Sequence, residues 1–568
     1  MAQQQETQHA LLIPWGHYAQ EIGLLSGIEA VKLNQKVYEH MPQAKVTEFL
    51  VAILSGAKYL QNIRLAAHPL DKDVAVAQAW GQPGWADDTG VSRTLKKLTW
   101  PEVNALVEVL EHVSQAIIKS ELTLLRAPGR GLEYDGDLTG LPVSNTSCTY
   151  PNAAYGPRSD EIRLGYQAGV VSLQSPTYGR LWISVDQPAG DTVSCTQAEA
   201  LVRAAEKRSG QRPKRRTELL KKRIEALVKS RAPAEKRLAT QQAKLATAQR
   251  AKEAVAAQLR EETKPNRSAV LERRGLRREK SIEIARKKLE KTLVQMKVHL
   301  AAEKILRQRL EHFEQNNLEN PQPVEACFRL EAGFGTYANI ALLIEMGYEV
   351  YVKLHNHKIT EMLKPKNSLE TIWTRVGDHA ERLAGSGLEL QHCPYPLDVA
   401  LERFYTGKTQ KHSALAHFGD TPVTTDLPAW FNRYTARQTL EAGIKETKQV
   451  FHLNRLKVPS EPAIYLQEAM TIFAANFIRW ATASIEQRTL PGENSLPLSK
   501  MGIQQQVQVA AKTSATLIHH SGGRLLTFSP ASVFAGKSLF FPAPTRSLWR
   551  ICFLPLFTFL SLIAQKLR

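Results

Sequence analysis

The stretch YTARQTLEAGIKETK, from Tyr434 to Lys448, carries four functional side chains at helical spacing. At about 100° per residue, with Glu441 set at zero, Tyr434 falls near +20°, Arg437 near −40° and Lys448 near −20°. All four are therefore predicted to project from one strip of a single helix. A carboxylate flanked by two cations and a phenol suits a site that holds a metal ion beside phosphates. A solvated helix face with an Arg437–Glu441 pair at i,i+4 explains the same pattern.

The net charge of the 568-residue chain is concentrated in one segment. The formal charge is +19, and residues 201–320 hold 33 Lys and Arg against 15 Asp and Glu, which leaves 41 against 40 in the rest of the chain. A local positive field of this size predicts a polyanionic partner, with nucleic acid as the first candidate. A solvated coiled coil that spaces or dimerises the protein is the alternative explanation.

The cysteines and the chain ends bear on the compartment. The five cysteines form no CxxC pair, which argues against a structural zinc site or a disulfide scaffold and fits a reducing compartment. The N-terminal residues are polar and lack the apolar run of a signal peptide. The most apolar run, from Ile551 to Ala564, contains Pro555 and is too short to cross a bilayer. We therefore predict a cytoplasmic protein.

The first part of the chain has a helical pattern. Its clearest helix begins at Thr99, where Glu102 three residues later predicts a capping box. The basic segment before it, Ser92 to Lys97, could contact DNA in helix-turn-helix fashion, and a plain helical subdomain is equally compatible. From Arg130 onward three short strands, at 132–143, 161–173 and 181–185, predict an antiparallel meander.

The basic segment, residues 196–320, predicts a long antiparallel helical hairpin with its tip near Pro265. Apolar residues recur at coiled-coil spacing in both arms. They are Leu238, Leu245 and Leu259 before the tip, and Leu289, Leu293, Met296 and Leu300 after it.

The pattern returns to alternating strands and helices at residue 321. A strand at 326–330, a helix at 340–346 and a strand at 348–354 predict a βαβ unit. Glu331 follows the first of these strands, at the edge where open α/β sheets place their chemistry. Residues 368–421 read as β-rich, and Asp426-Leu-Pro opens the helical stretch described first.

Three carboxylates now lie at distinctive places: Asp137 in the first strand of the meander, Glu331 at a strand end and Glu441 on a helix. Such a set is typical of a ribonuclease-H-like site, which binds two divalent metal ions about 4 Å apart. The spacing of Tyr434, Arg437, Glu441 and Lys448 resembles the Y-R-E-K signature of bacterial insertion-sequence transposases of the DDE class. Asp137-Leu-Thr-Gly-Leu and Glu331-Ala-Gly-Phe resemble the first and second carboxylate motifs of that family.

The resemblance covers roughly residues 130–485 and implies an α/β fold with a ribonuclease-H-like mixed sheet flanked by helices. The implied organisation is a helical N-terminal domain with possible DNA-end binding (1–130), a core (131–195, 321–367 and 422–485), a basic coiled-coil insertion (196–320), a β-rich insertion (368–421) and a C-terminal tail, loop-rich and then apolar (486–568).

The implied activity is metal-dependent cleavage and strand transfer at the ends of a mobile element. In that family pattern Asp137, Glu331 and Glu441 hold two Mg²⁺ ions, and Mn²⁺ can substitute for Mg²⁺. Tyr434, Arg437 and Lys448 bind DNA phosphates. The implied partners are double-stranded DNA, at the element ends and the target, and a second copy of the chain, with no membrane. The implied location is the bacterial cytoplasm, at the nucleoid when DNA is bound. The alternative is a catalytically inactive, transposase-derived DNA-binding coiled-coil protein.

The chain departs from the family pattern at its second carboxylate. Glu331 stands where the family has Asp, and its longer side chain predicts a weakened site because Mg²⁺ geometry is strict. Asp135 competes with Asp137 as the first ligand, and two residues apart on a strand they share a face. The apolar tail from about Phe541 is compatible with a packing segment, a dimer contact or a disrupted reading frame; its aromatic residues are Trp549, Phe553, Phe557 and Phe559.

Overall fold

The computed structural model describes residues 4–126, 131–158, 161–355, 357–365, 372–388, 393–407, 409–488 and 496–542, so the apolar tail beyond Pro542 lies outside the described residues. Within these ranges the chain forms a mixed α/β fold in which a large mixed sheet is flanked by helices. No helix among these residues is long and apolar enough to cross a membrane.

The described strands are β1 (Gln4–Thr7), β2 (Leu132–Pro142), β3 (Ala154–Arg158), β4 (Glu161–Ser175), β5 (Gly179–Asp186), β6 (Ala326–Leu330), β7 (Glu349–Lys353), β8 (Thr374–Gly377), β9 (Ala380–Leu388), β10 (Leu397–Thr406), β11 (Thr409–Phe418), β12 (Ala515–His520), β13 (Gly523–Phe528) and β14 (Ser538–Pro542). The described helices are α1 (Leu12–Glu21), α2 (Leu24–Ala30), α3 (Pro42–Leu54), α4 (Asn62–Leu65), α5 (Val74–Ala79), α6 (Asp88–Lys96), α7 (Trp100–Leu125), α8 (Ala198–Ser209), α9 (Thr217–Glu261), α10 (Pro265–Leu318), α11 (Tyr337–Glu345), α12 (His357–Leu363), α13 (Leu427–Thr435), α14 (Gln438–Val450), α15 (Glu461–Arg488) and α16 (Ile503–Gln508).

The large sheet has the order β3-β4-β2-β6-β7-β11-β10-β9-β8, and β5 pairs with the second half of β4. Strands β2, β4 and β5 pair antiparallel, which confirms the predicted meander. Strand β3, which the sequence pattern missed, forms a hairpin with the first half of β4.

The predicted βαβ unit is confirmed. Strand β6 pairs parallel with β2 on one side and with β7 on the other, and α11 connects β6 to β7. Gly347 follows the end of α11 with a φ of +97°, and a Cβ there would lie 2.2 Å from the carbonyl oxygen of Lys214. Glycine is therefore required where the helix turns back into the sheet.

The β-rich stretch extends the large sheet. Strand β11 pairs antiparallel with β7, and β10, β9 and β8 follow it outward. The predicted β content of residues 368–421 is thus confirmed.

The N-terminal helices share one hydrophobic core with the sheet. The capping box at Thr99 and Glu102 opens α7 as predicted, and α7 packs against α15, which also contacts β5. The basic segment Ser92 to Lys97 lies at the C-terminal end of α6.

The two chain ends meet in a second, small sheet. Strand β1 pairs with β12 in a sheet of order β1-β12-β13-β14. The N-terminal part is therefore not purely helical, and the C-terminal part has more regular structure than its loop-rich sequence indicates. The pairing of β1 with β12 is long-range, and neither strand carries a local signal for the other.

The basic segment forms a long antiparallel hairpin of α9 and α10, which we call the arm. Its turn lies at residues 262–264, directly before Pro265 as predicted. Ion pairs cross between the helices along the length of the arm. Lys221 pairs with Glu314 at 3.1 Å and Lys252 with Glu279 at 2.7 Å, and Arg231 pairs with Glu303.

The predicted boundary of the basic segment needs a correction. Helix α8 packs on β4 and β5 and buries Leu201, Val202 and Ala205 in the sheet layer. Helix α8 is therefore part of the core, and the arm begins at Thr217.

The base of the arm is fixed to the sheet layer by a buried carboxylate. The Glu345 side chain, at the end of α11, is fully buried and accepts from Arg223 at 2.5 Å, Arg309 at 3.0 Å and Tyr395 at 2.9 Å. Two of these donors come from the two arm helices. The orientation of the arm is thus set by charge-assisted hydrogen bonds as well as by packing.

A fully buried ion pair fixes the register at the centre of the sheet. Asp135 on β2 pairs with Arg329 on β6, and the guanidinium donates to both carboxylate oxygens at 2.7 and 2.8 Å. Arg329 also donates to Glu133 at 3.1 Å and to the carbonyl oxygen of Arg433 at 2.8 Å. The Arg329 guanidinium therefore joins β6 to β2 and to α13.

Replacing Arg329 with Met should destabilise the fold by about 3–5 kcal/mol, because Asp135 is left buried without a partner. The free energy of unfolding in urea measures this loss. The double variant Arg329→Met/Asp135→Leu is the control, and it should lose clearly less than the single variant. Equal losses in both variants would contradict the buried-charge explanation.

Candidate active site: three carboxylates around Arg437

Sheet register brings the first two carboxylates together. In the parallel pairing of β2 with β6, Gly136 lies opposite Leu330. The next residues, Asp137 and Glu331, therefore lie at the same level on neighbouring strands. Strand β6 ends there because Glu331 begins a short 3₁₀ turn over Ala332–Phe334, which turns the chain out of the sheet.

The predicted single helix from Tyr434 to Lys448 is wrong. Helix α13 ends at Thr435 and α14 begins at Gln438, with Arg437 in the junction. The backbone N–H of Arg437 bonds to the carbonyl oxygen of Tyr434 at 3.1 Å, an i−3 bond that tightens the chain there. Tyr434 consequently lies on a different helix from Glu441 and Lys448.

The guanidinium of Arg437 contacts all three predicted carboxylates. It lies 2.7 Å from Glu441, 3.2 Å from Asp137 and 3.4 Å from Glu331. The Arg437 side chain is only 4% exposed, whereas Glu331 and Glu441 are about half exposed, at 47% and 52%. The structure thus brings together one strand carboxylate, one strand-end carboxylate and one helix carboxylate around a single buried cation.

Asp137 is the most buried of the three carboxylates, with a side chain 13% exposed. The pKa of Asp137 is raised to about 7, mainly by burial; Arg437 lowers this pKa, whereas nearby Glu331 and Glu441 raise it. The backbone N–H of Leu138 donates to its carboxylate at 2.8 Å, which also favours the charged form. Asp137 therefore changes charge near neutral pH.

The two aspartates of β2 have different partners. Asp135 is bound on both oxygens by Arg329, while Asp137 faces Arg437 and the other two carboxylates. Asp137 is thus the aspartate that joins the carboxylate group, and Asp135 lies behind it in the sheet.

Tyr434 and Lys448 border the same site. The phenol of Tyr434 donates to the carbonyl oxygen of Leu330 at 3.4 Å, and burial raises its pKa. Burial lowers the pKa of Lys448, although the charge of Asp137 acts against this effect. An anion beside Lys448 would favour its charged form.

Several residues that shape the site were not identified from the sequence. Arg329 and Arg433 neutralise acidic groups behind it, and Arg433 joins Glu133 at 3.1 Å to Glu349 at 2.8 Å. Glu133, Asp135 and Asp137 alternate along one face of a strand. Three acidic residues on one strand face could have indicated that buried cations pair with them.

Gly443 lets α14 lie close to the sheet. A Cβ at this position would lie 2.2 Å from the guanidinium of Arg180 on β5. Burial lowers the pKa of Arg180 to about 10, so this cation is already in a poorly solvated place. Packing against Arg180 therefore explains why residue 443 is a glycine. No sequence motif indicated this contact.

The donor chemistry of the three carboxylates suits Mg²⁺, which prefers hard oxygen ligands. As they stand, however, no three His, Cys, Asp or Glu side chains in the described part of the chain are grouped so that they could hold a metal ion. The Arg437 guanidinium lies among the carboxylates and supplies the positive charge there. Its Nε is buried without a hydrogen-bond partner among the described residues, so the guanidinium is incompletely bonded in this position.

No family model matches the chain, and no curated protein is found to match it.

Replacing Asp137 with Asn should change how stability depends on pH. Because the pKa of Asp137 is raised on folding, its contribution to stability is full below about pH 4 and is lost as the pH rises through about 7. The amide does not titrate, so the variant keeps its stability as the pH rises while the wild type loses stability. At about pH 8 the free energy of unfolding of the variant should have gained on the order of 2 kcal/mol relative to wild type. Urea unfolding in metal-free buffer at about pH 4.5, 6 and 8 measures the difference. The same difference at all three pH values would contradict the assignment.

Proposed function

We propose that the protein is a DDE-type transposase that cleaves and joins DNA at the ends of a mobile element. The observation that carries the proposal is the contact of Asp137, Glu331 and Glu441 with one guanidinium, at 3.2, 3.4 and 2.7 Å. These residues come from a central strand, the end of its parallel neighbour and a following helix. The same three placements are typical of the ribonuclease-H-like site that the sequence resembles.

The sheet supports this interpretation. Its first core strand, β2, has an antiparallel meander on one side and two parallel strands on the other. We infer that this part is a ribonuclease-H-like core, that the arm is inserted between its first and second carboxylates, and that strands β8 to β11 are inserted between the second and third.

In the proposed enzyme Asp137, Glu331 and Glu441 would hold two Mg²⁺ ions. Such ions activate the attacking oxygen and stabilise the leaving oxygen of an in-line phosphodiester displacement. Asp137 must be ionised to act as a ligand, so its raised pKa predicts weaker metal binding below neutral pH. For three carboxylates to share metal ions, the Arg437 guanidinium would have to leave their centre.

In the proposed enzyme the side chains of Arg437, Lys448 and Tyr434 would each lie close to the DNA. Arg437 would move from the carboxylates towards a DNA phosphate, which is a comparable bidentate acceptor. Lys448, half-buried, would gain a counter-charge from a phosphate and hold its proton more tightly. Tyr434 would keep its place against the end of β6 and border the scissile bond.

A catalytically inactive DNA-binding protein is the second candidate, and two observations favour it. Glu331 stands at a position where the resembled family has Asp, and Arg437 occupies the place between the carboxylates. If the Arg437 guanidinium stays between the three carboxylates, its contacts with them only stabilise the fold.

Asp137→Ala and Glu441→Ala should each abolish Mg²⁺- or Mn²⁺-dependent nicking of DNA while leaving DNA binding intact. Both remove a metal ligand without touching the arm. The matched control is Glu446→Gln on the same helix, whose carboxylate pairs with Arg479 at 3.1 Å, and it should keep activity. Nicking assays and fluorescence anisotropy on the same samples separate the two properties. A wild type that binds DNA but never nicks it with either metal would establish the inactive alternative.

Glu331→Asp should raise the rate of nicking. The shorter side chain moves the carboxylate by over an ångström, and misplacement on that scale changes rates by about two orders of magnitude. Single-turnover nicking with Mg²⁺ measures the change, with Glu331→Gln as the inactive control. An unchanged or lower rate in the Asp variant would show that Glu331 is already well placed.

A further inference from the structure

In the tip half of α10, residues 265–291, five of the ten Lys and Arg residues lie together on a side of the helix that holds no glutamate. At about 100° per residue, with Lys280 set at zero, five cations fall within an arc of about 80°. We call them the basic sector: Arg273, Arg277, Lys280, Lys288 and Lys291. The glutamates of the same stretch fall in a separate band between about −60° and −100°. These are Glu272, Glu279, Glu283 and Glu290.

Two glutamates of the acidic band pair with lysines of the protein. Glu279 bonds to Lys252 of α9 at 2.7 Å, and Glu283 bonds to Lys287 of its own helix at 2.8 Å. The separation therefore places carboxylates where they stabilise the hairpin or offset a neighbouring lysine. It leaves the other flank of α10 without a negative charge.

The basic sector is open to solvent. All five side chains are exposed, and none makes an ion pair with a carboxylate among the described residues. From Arg273 to Lys291 the sector runs along about 27 Å of helix. Five like charges along this length repel one another, and a line of anions of similar length would relieve that repulsion.

A solvated surface does not require such an arrangement. Solubility is served by mixed signs, whereas a single-sign field is typical of a surface that attracts a charged partner. The exposed cations of α9, from Lys222 to Arg260, spread over a wider arc, about 220°, which they share with Glu225, Glu235 and Glu253. The sector of α10 is therefore the more concentrated acid-free surface on the arm.

We propose that the basic sector of α10 binds the phosphate backbone of duplex DNA. The identity of the polyanion rests on the proposed function, while the location of the surface rests on the charge separation. A duplex carries one negative charge per about 1.7 Å of axis, so 27 Å of contact offers ample phosphates for five cations. The contacts are to the backbone and carry no sequence preference by themselves.

The test compares two five-residue variants of the full chain. In the sector variant Arg273, Arg277, Lys280, Lys288 and Lys291 are replaced by Gln. In the control variant five exposed cations elsewhere on α10 are replaced by Gln: Arg267, Arg278, Arg286, Lys297 and Lys304. Both variants remove the same charge from the same helix, and Gln preserves helix propensity. Circular dichroism checks that helix content is unchanged.

The measurement is the dissociation constant for a mixed-sequence duplex at several salt concentrations. Each lost phosphate contact lowers the magnitude of the slope of log affinity against log salt by about 0.9. The slope should therefore shrink by about 4.5 in the sector variant and by less than about 1 in the control variant. Affinity at about 0.1 M salt should fall at least tenfold more in the sector variant. Equal losses in both variants, or no loss in the sector variant, would overturn the proposal.

This outcome is independent of catalysis. If neither Mg²⁺ nor Mn²⁺ supports nicking but the two variants still differ in DNA affinity, the binding surface stands and the proposed enzyme activity fails. If nicking occurs and the variants do not differ, the enzyme activity stands and the sector is wrong.

Discussion

The interaction on which the site depends is the contact of one buried guanidinium with three carboxylates. Asp137, Glu331 and Glu441 each lie within 3.4 Å of Arg437, and a positive charge so close offsets the repulsion among the three carboxylates. Arg437, only 4% exposed, supplies that charge. It also links three separate parts of the chain: a central strand, a strand end and a helix. Any cation that replaced it would inherit the same carboxylate geometry.

A second ion pair makes the first one possible. Asp135 lies two residues before Asp137 on the same face of β2, and both oxygens of Asp135 are bound by Arg329. The two aspartates are thus neutralised by different arginines from different elements. Because Arg329 fixes β6 beside β2, Glu331 reaches the level of Asp137. The buried pair behind the site therefore decides which carboxylates meet in front of it.

Local patterns in the sequence predicted most elements of the core. The meander, the βαβ unit, the capping box of α7 and the hairpin tip at Pro265 each carry a short-range signal, and the structure confirms them. The family resemblance implied that Asp137 within a strand, Glu331 at a strand end and Glu441 on a helix lie near one another, and in the structure all three contact Arg437. The break between α13 and α14 did not, because Ala436 and Arg437 are compatible with a continuous helix and the tightening is seen only in the backbone bonding.

Long-range pairing accounts for the other differences. The partner of β1 lies about 510 residues away at β12, and no local composition encodes such a pairing. Helix α8 was grouped with the arm because it belongs to the same basic stretch. Its buried face, with Leu201 and Val202, shows that it belongs to the sheet layer. Charge composition therefore located the basic region but not the boundary at which packing takes over.

The two charged regions place opposite demands on a DNA ligand. Three carboxylates repel phosphate, so the site by itself would oppose the approach of a duplex unless cations balance it. The arm has the opposite field, since residues 201–320 hold 33 Lys and Arg against 15 Asp and Glu. The buried Glu345 joins the base of the arm to the sheet layer through Arg223 and Arg309. In the proposed enzyme this connection would hold a bound duplex near Asp137, so that affinity would reside in the arm and chemistry in the site. In a protein divided this way, weakening the arm lowers occupancy, whereas changing a carboxylate lowers the rate at full occupancy.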